Sequence, residues 1–153
     1  MYDGADSFYD WYHDSDRSRR VELALVLEKM DDSYVFDDAY FFPLDGQGFK
    51  DNDAYGHNYL FTTEVHLKFL YSGGEEFTFR GDDDLWIFVN GKLALDIGGM
   101  HWPFEGTIKF DELGLTRDES YEMDIFHAER HTSASNFRIQ TNISCFKSEV
   151  ILE

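Results

Sequence analysis

The chain has 153 residues and carries 13 Lys and Arg against 31 Asp and Glu, a formal net charge of −18. That field repels nucleic-acid phosphates and anionic membrane surfaces, and no apolar run approaches the roughly 20 residues of a membrane span, so neither nucleic acid nor membrane insertion is expected. Aromatic residues make up 18% of the chain beside only 2 Pro and 12 Gly, a balance that favours pleated, half-buried surfaces over low-complexity sequence.

The opening MYDGADSFYDWYHD lacks a basic end and an apolar stretch and is not expected to be a signal peptide. At most one short helical turn is expected there. VELALVLEK (21–29) alternates with period two, which predicts a strand with Val21, Leu23, Leu25 and Leu27 on one face. Residues 31–58, with FFPLDGQGF inside them, carry no regular pattern. VHLKFLY (65–71) alternates again, and Ser72-Gly73-Gly74 predicts a hairpin turn into EFTFR, where Phe77 and Phe79 share a face.

LWIFV (85–89) is apolar on both faces and reads as a doubly buried strand, with Trp86 and Phe88 expected to meet the 31–58 segment. Asn90-Gly91 is a strong hairpin signal into KLALDI. TIKF (107–110), YEMDIFH (121–127) and FRIQTNI (137–143) complete the strands. About eight short strands with turn punctuation and no internal repeat predict an all-β fold, an antiparallel sandwich or barrel, as a single domain over 1–153. Cys145 is the only cysteine, so no disulfide forms within the chain.

Asp82, Asp83 and Asp84 stand in the middle of this pattern. Three readings compete: a solvated loop, a turn whose carboxylates accept backbone N–H groups, and a hard-cation site. The first fits poorly, because Phe77, Phe79, Ile87 and Val89 pin the flanks into buried strands. Neighbouring side chains on a regular strand point to opposite faces, so one ion is gripped by both Asp82 and Asp83 only if the backbone departs from it, as a cis peptide between them would. The turn and the cation site both stay open on these residues alone.

Other patterns are weaker. His127 and His131, with Glu129 between them, suggest zinc only on a helix, and this stretch reads as a strand running into a loop. DNDAYGHN (51–58) places Asp51, Asp53 and Gly56 like part of a calcium loop, but Tyr55 and Thr62 stand where acidic residues are needed, so a polar loop is the better expectation. Asn142-Ile143-Ser144 is a glycosylation sequon that matters only in a eukaryotic secretory setting.

FFPLDGQGF, HNYLFTTE, FRGDDDLWIFVNGKLALDIGGMH and FHAERHTSASNFRIQT, in this order and spacing, resemble the fibro-slime domain family from about Trp11 to Ile143. That family is similar to the protective-antigen-like β-barrel modules of yeast flocculins, epithelial adhesins and bacterial surface adhesins, which implies a flocculin-type sandwich with long ligand-binding loops. In those relatives an Asp-Asp pair, often joined by a cis peptide, holds Ca²⁺ while sugar hydroxyls complete the coordination. Aligning their closing Asp-Gly with Asn90-Gly91 puts the pair on Asp82 and Asp83, and leaves Asp84 at a usual glycine position as a reserve acceptor.

The resemblance further implies a second loop with Glu129 at the place of an amide ligand, the carbonyls of His131 and Ser133, and Asn136 as a spare. His101, Trp102, Arg130 and Asp84 are the expected sugar-side residues, although an ion pair is the better expectation for Arg130 and packing for Trp102, and His101 suits the ion site or the turn alike. The implied function is a non-catalytic, calcium-dependent glycan-binding or adhesion module, extracellular and part of a larger secreted or surface protein. The alternative is a structural building block of matrix or filament in which Ca²⁺ only stiffens loops. Catalysis is not expected: contiguous aspartates are too close for the ~5–10 Å division of labour of glycoside hydrolysis.

Overall fold

The computed structural model describes residues 8–48, 56–130 and 134–148. Its strands are β1 (Glu28–Met30), β2 (Ser33–Asp38), β3 (Phe61–Tyr71), β4 (Glu76–Gly81), β5 (Asp84–Val89), β6 (Lys92–Ile97), β7 (Phe104–Lys109), β8 (Glu119–Glu129), β9 (Phe137–Thr141) and β10 (Phe146–Ser148). They form two five-stranded antiparallel sheets, ordered β1-β2-β9-β4-β7 and β10-β3-β8-β5-β6. The all-β sandwich expected from the strand pattern is the observed architecture.

Alternation puts the same face of each strand inward. Val65, Leu67, Phe69 and Tyr71 of β3 all pack on the core, with Val65 opposite Ile125 and Leu67 opposite Met123 of β8. Leu85, Ile87 and Val89 of β5 face the same way, and the other sheet answers with Phe77, Phe79, Phe137 and Ile139. Each buried phenylalanine or leucine removes enough apolar surface to contribute roughly 1.5–3 kcal/mol. The β5–β6 hairpin turns on Asn90 and Gly91 at φ 51° and 70°, the left-handed pair that a two-residue turn requires.

Three expectations need correction. Residues 21–27 are unpaired, and only Glu28–Met30 joins a sheet; Leu25 and Leu27 pack on the core while Leu23 and Val26 are exposed, so the predicted face is buried only in its second half. Ser72–Gly74 is not a hairpin turn. β3 pairs with β8 and β10, whereas β4 pairs with β7 and β9, so this turn crosses from one sheet to the other. Glu75 holds the crossing by accepting the Ser72 and Gly73 N–H groups, each at 2.8 Å.

The outer face of β5 is covered by the N-terminal stretch, not by the described residues of 31–58. A helical turn at Phe8 and Tyr9 sets the Phe8 ring edge-on to Trp86 at 6.1 Å, and Tyr12 meets Phe126 at 5.0 Å. Thr62 Oγ1 donates to the Trp11 carbonyl at 2.7 Å and fastens this cover to β3. The 31–58 segment itself supplies β2, which pairs with β9 from Tyr34 opposite Thr141 to Asp38 opposite Phe137.

Candidate functional site

β8 explains where the site lies. Its inward positions run Met123, Ile125, His127, Glu129, so the face that is apolar in mid-sheet becomes titratable at one end while staying 0–1% exposed. The β4–β5 turn and the β8–β9 loop meet at this same end. Gly81, the last residue of β4, permits their approach: a Cβ there would run into the Asn136 carbonyl and the Phe79 ring.

The three aspartates are not solvated; each is 5% exposed or less. The Asp82–Asp83 peptide is cis. Asp82 accepts from Asn136 twice, Oδ1 from the backbone N at 2.7 Å and Oδ2 from Nδ2 at 2.9 Å. Asp83 Oδ2 accepts the Arg130 backbone N–H at 3.1 Å. Both carboxylates therefore reach the same loop, which a regular strand would not allow. Asp84 takes the Arg130 guanidinium bidentately, Nε at 2.5 Å and Nη2 at 2.9 Å, and also accepts the Gly99 N–H at 2.6 Å. The guanidinium carbon stands 5.6 Å from the Trp11 ring centroid, adding a cation–π contact.

Four carboxylates, Asp82, Asp83, Asp84 and Glu129, are buried among the described residues, and all lie here; no Lys or Arg side chain is buried with them. Burying an ion costs several kcal/mol unless charge and hydrogen bonds compensate. Desolvation, with the Asp82 and Asp84 charges behind it, holds the Asp83 carboxyl above its usual range against the pull of the Arg130 and His101 N–H groups. His127 is pushed down to about 4 by burial. It is neutral at physiological pH, and its Nε2–H donates to the Asp82 carbonyl at 2.8 Å. Tyr12 is held above its usual phenol range by burial and then by Asp84 and Glu64, and its hydroxyl donates to the His127 carbonyl at 2.9 Å.

The β6–β7 loop flanks the cluster. His101 faces Phe104 edge-on at 6.0 Å, and Trp102 is 80% exposed. The structure thus brings together Asp82, Asp83, Asp84, Arg130 and Asn136 through direct bonds, with Glu129 buried at the end of β8. His131, Ser133, Asp51 and Asp53 lie outside the described residues. Sequence reasoning missed His127 as a partner of the aspartates; the inward period of β8, carried two residues past Ile125, is the signal that points to it.

For a calcium ion the fit is mixed. Carboxylates and carbonyls are the right donors for a hard cation, and adjacent buried carboxylates are short of positive charge. Against this, no three His, Cys, Asp or Glu side chains among the described residues are disposed to hold a metal together, and Asn136 already engages both oxygens of Asp82.

A sandwich of antiparallel sheets with an acidic site built from turns at one end defines a class of β-rich binding modules. The chain belongs to the PA14 domain family, whose model matches residues 49–149. PA14 domains are carbohydrate-binding and adhesion modules of extracellular proteins. Among curated proteins of Dictyostelium discoideum, the chain is 42% identical to Protein psiD over 147 residues, covering 90% of the chain and 29% of that protein. It is 44% identical to Protein psiE over 132 residues (80% and 26%) and 42% identical to Protein psiH over 134 residues (82% and 19%). It therefore spans less than a third of the length of these relatives. No solved structure matches it.

Proposed function

We propose that this domain is a non-catalytic, calcium-dependent carbohydrate-binding module of the fibro-slime branch, working in adhesion within a larger secreted or cell-surface protein. The observation that carries the reading is the junction itself: Asp82 and Asp83, both buried, send their carboxylates to one loop, and Glu129 is buried at the root of that loop. Ca²⁺ offsets the burial, and behind it the repulsion from Asp82 and Asp84, that otherwise hold Asp83 toward its protonated form. Asp82, Asp83 and Glu129 supply the charged donors, with the His131 and Ser133 carbonyls from the same loop. Glycan hydroxyls take the open positions. His101 and the exposed Trp102 border the sugar, and Arg130, whose guanidinium is committed to Asp84, presents its partly exposed edge.

Extracellular calcium modules work with Kd values of about 10⁻⁴–10⁻³ M, so modest affinity suffices. Isothermal titration of Asp83→Ala and the parent protein with Ca²⁺, then with a monosaccharide panel in Ca²⁺, tests the proposal. The parent is expected to bind both and the variant neither; equal binding by the two would remove it.

A second reading has its own support. Asn136 on Asp82 and Arg130 on Asp84 join the loops without an ion, as suits a structural block of an extracellular assembly. Ca²⁺-dependent thermal stabilisation together with a blank glycan array would favour it; stabilisation alone follows from mass action in either case.

A further inference from the structure

His127 is 0% exposed and surrounded by phenylalanine rings: Phe137 at 5.1 Å, Phe61 at 6.1 Å, Phe79 at 6.2 Å and Phe41 at 6.3 Å between centroids. A fifth aromatic ring of pure hydrocarbon would suit that box better, because a buried polar group costs free energy wherever it is left unpaired. The imidazole does leave one nitrogen unpaired: Nδ1 is buried with no hydrogen-bond partner. Its other nitrogen faces the Asp82 carbonyl at 2.8 Å. A carbonyl only accepts, so the proton sits on Nε2 and the tautomer is determined.

That bond spans the sandwich. β8 belongs to one sheet, and Asp82 follows β4 of the other. Asn136 holds the Asp82 carboxylate by two bonds, while His127 holds the carbonyl of the same residue, the carbonyl of the peptide that leads into Asp83. With both ends of Asp82 fixed, the direction in which the next carboxylate leaves the chain is fixed too.

We propose that His127 is a positioning residue: from within the phenylalanine box, its Nε2–H holds the Asp82 carbonyl and so orients the Asp82–Asp83 carboxylate pair. Its consequence for metal affinity rests on the calcium reading given above; its consequence for the loop junction does not. Groups that orient metal ligands through a hydrogen bond typically change affinity 10–100-fold when removed.

The test compares His127→Phe, which keeps the ring and removes the donor, with His127→Gln, whose amide nitrogen restores a donor near the Nε2 position. Nitrogen NMR of the parent is expected to show the Nε2–H tautomer. In His127→Phe the Asn136 amide proton is expected to exchange at least ~10-fold faster and Ca²⁺ to bind ~10–100-fold more weakly, with His127→Gln recovering most of both. An Nδ1–H tautomer in the parent overturns the proposal. So does His127→Phe with parental Asn136 protection, even if its melting temperature falls. Should the parent bind no Ca²⁺, the calcium reading fails by itself, and Asn136 exchange in the two variants still decides the role of His127.

Discussion

Asn136 closes on Asp82 with two nitrogens, its backbone N on Oδ1 at 2.7 Å and its Nδ2 on Oδ2 at 2.9 Å. One residue of the β8–β9 loop thereby satisfies both oxygens of a buried carboxylate that follows β4. Hydrogen bonds to a charged group contribute about 1.5–3 kcal/mol each. Asn136→Ala removes the side-chain bond and leaves the backbone one, so a loss of about 1.5–3 kcal/mol is expected in urea unfolding without Ca²⁺. Asn136→Asp sets like charges together and is expected to cost more. A change within 0.5 kcal/mol for Asn136→Ala would mean that the clamp does not hold the loop.

The Asp84–Arg130 pair is the second fastening. Asp84 is 3% exposed and receives the guanidinium through two bonds, with the Gly99 N–H as a third. Removing only the cation leaves a buried carboxylate uncompensated, a change that costs about 3–5 kcal/mol where pairs are buried. Arg130→Met is expected near the lower end, since Arg130 is partly exposed. Arg130→Lys is expected to recover only part, because an ammonium does not reproduce the bidentate fork. Urea unfolding of the two variants alongside Asp84→Asn and the Arg130→Met/Asp84→Asn double variant gives the coupling. Additive effects would show that the pair does not act as a unit.

Short-range signals were legible where one residue type demands one local geometry. Asn90-Gly91 needs positive φ twice and made its hairpin, and the alternation of β3 assigned its correct inward face. Alternation does not say which strand lies alongside. Phe69 and Phe77 both point into the core, yet from opposite sheets, and a Gly-rich turn serves a crossover as well as a hairpin. The site divides in the same way. Three aspartates between buried apolar residues were visible as an anomaly, and the pairing of Arg130 was one of its two expected uses. The cover of Trp86 by Phe8 and the bond from His127 to Asp82 join residues distant in the chain, 45 apart in the latter case. The inward period of β8 points to His127, but no local pattern names a partner that far along the chain.

His66 gives the domain a pH dependence of its own. On β3 its two ring nitrogens meet Asp124 and Glu64, each at 2.6 Å. Burial lowers its pKa, but the hydrogen bonds and charges of those carboxylates outweigh it, and the net shift is upward. A raised folded value means that the imidazolium stabilises the fold fully below the unfolded pKa of about 6.5 and that this contribution fades as pH rises through the folded value. Unfolding curves from pH 5.5 to 8.5 are expected to show His66→Gln losing most against the parent at the acid end, with the gap narrowing toward pH 8.5. A constant gap across the range would assign the loss to packing alone. Because the imidazole is partly exposed, added salt is expected to shrink the acid-side difference.

Asp83 separates the cost of the site from its use. Burial and the flanking aspartates raise its pKa, so ionising Asp83 in the folded protein carries a penalty that the unfolded chain lacks. For a carboxylate shifted upward, the folded state is favoured by protonation and loses relative stability as pH rises through the two pKa values. Asp83→Asn removes the charge and keeps the shape. In chelator at pH 7.5 the variant is therefore expected to melt higher than the parent, and the difference is expected to vanish as pH falls well below the unfolded Asp value of about 3.9, where Asp83 is neutral in both states. In millimolar Ca²⁺ the order is expected to reverse, because only the parent gains from the ion. The parent's Ca²⁺ affinity should also weaken on acidification at a pH above the ordinary carboxylate range, since protons and Ca²⁺ compete for the same oxygens. Calorimetry of the two proteins across pH, with and without Ca²⁺, reads all of this. A variant that is less stable than the parent in chelator would show that the Asp83 charge is a net support of the fold, and the electrostatic case for a cation beside it would be lost.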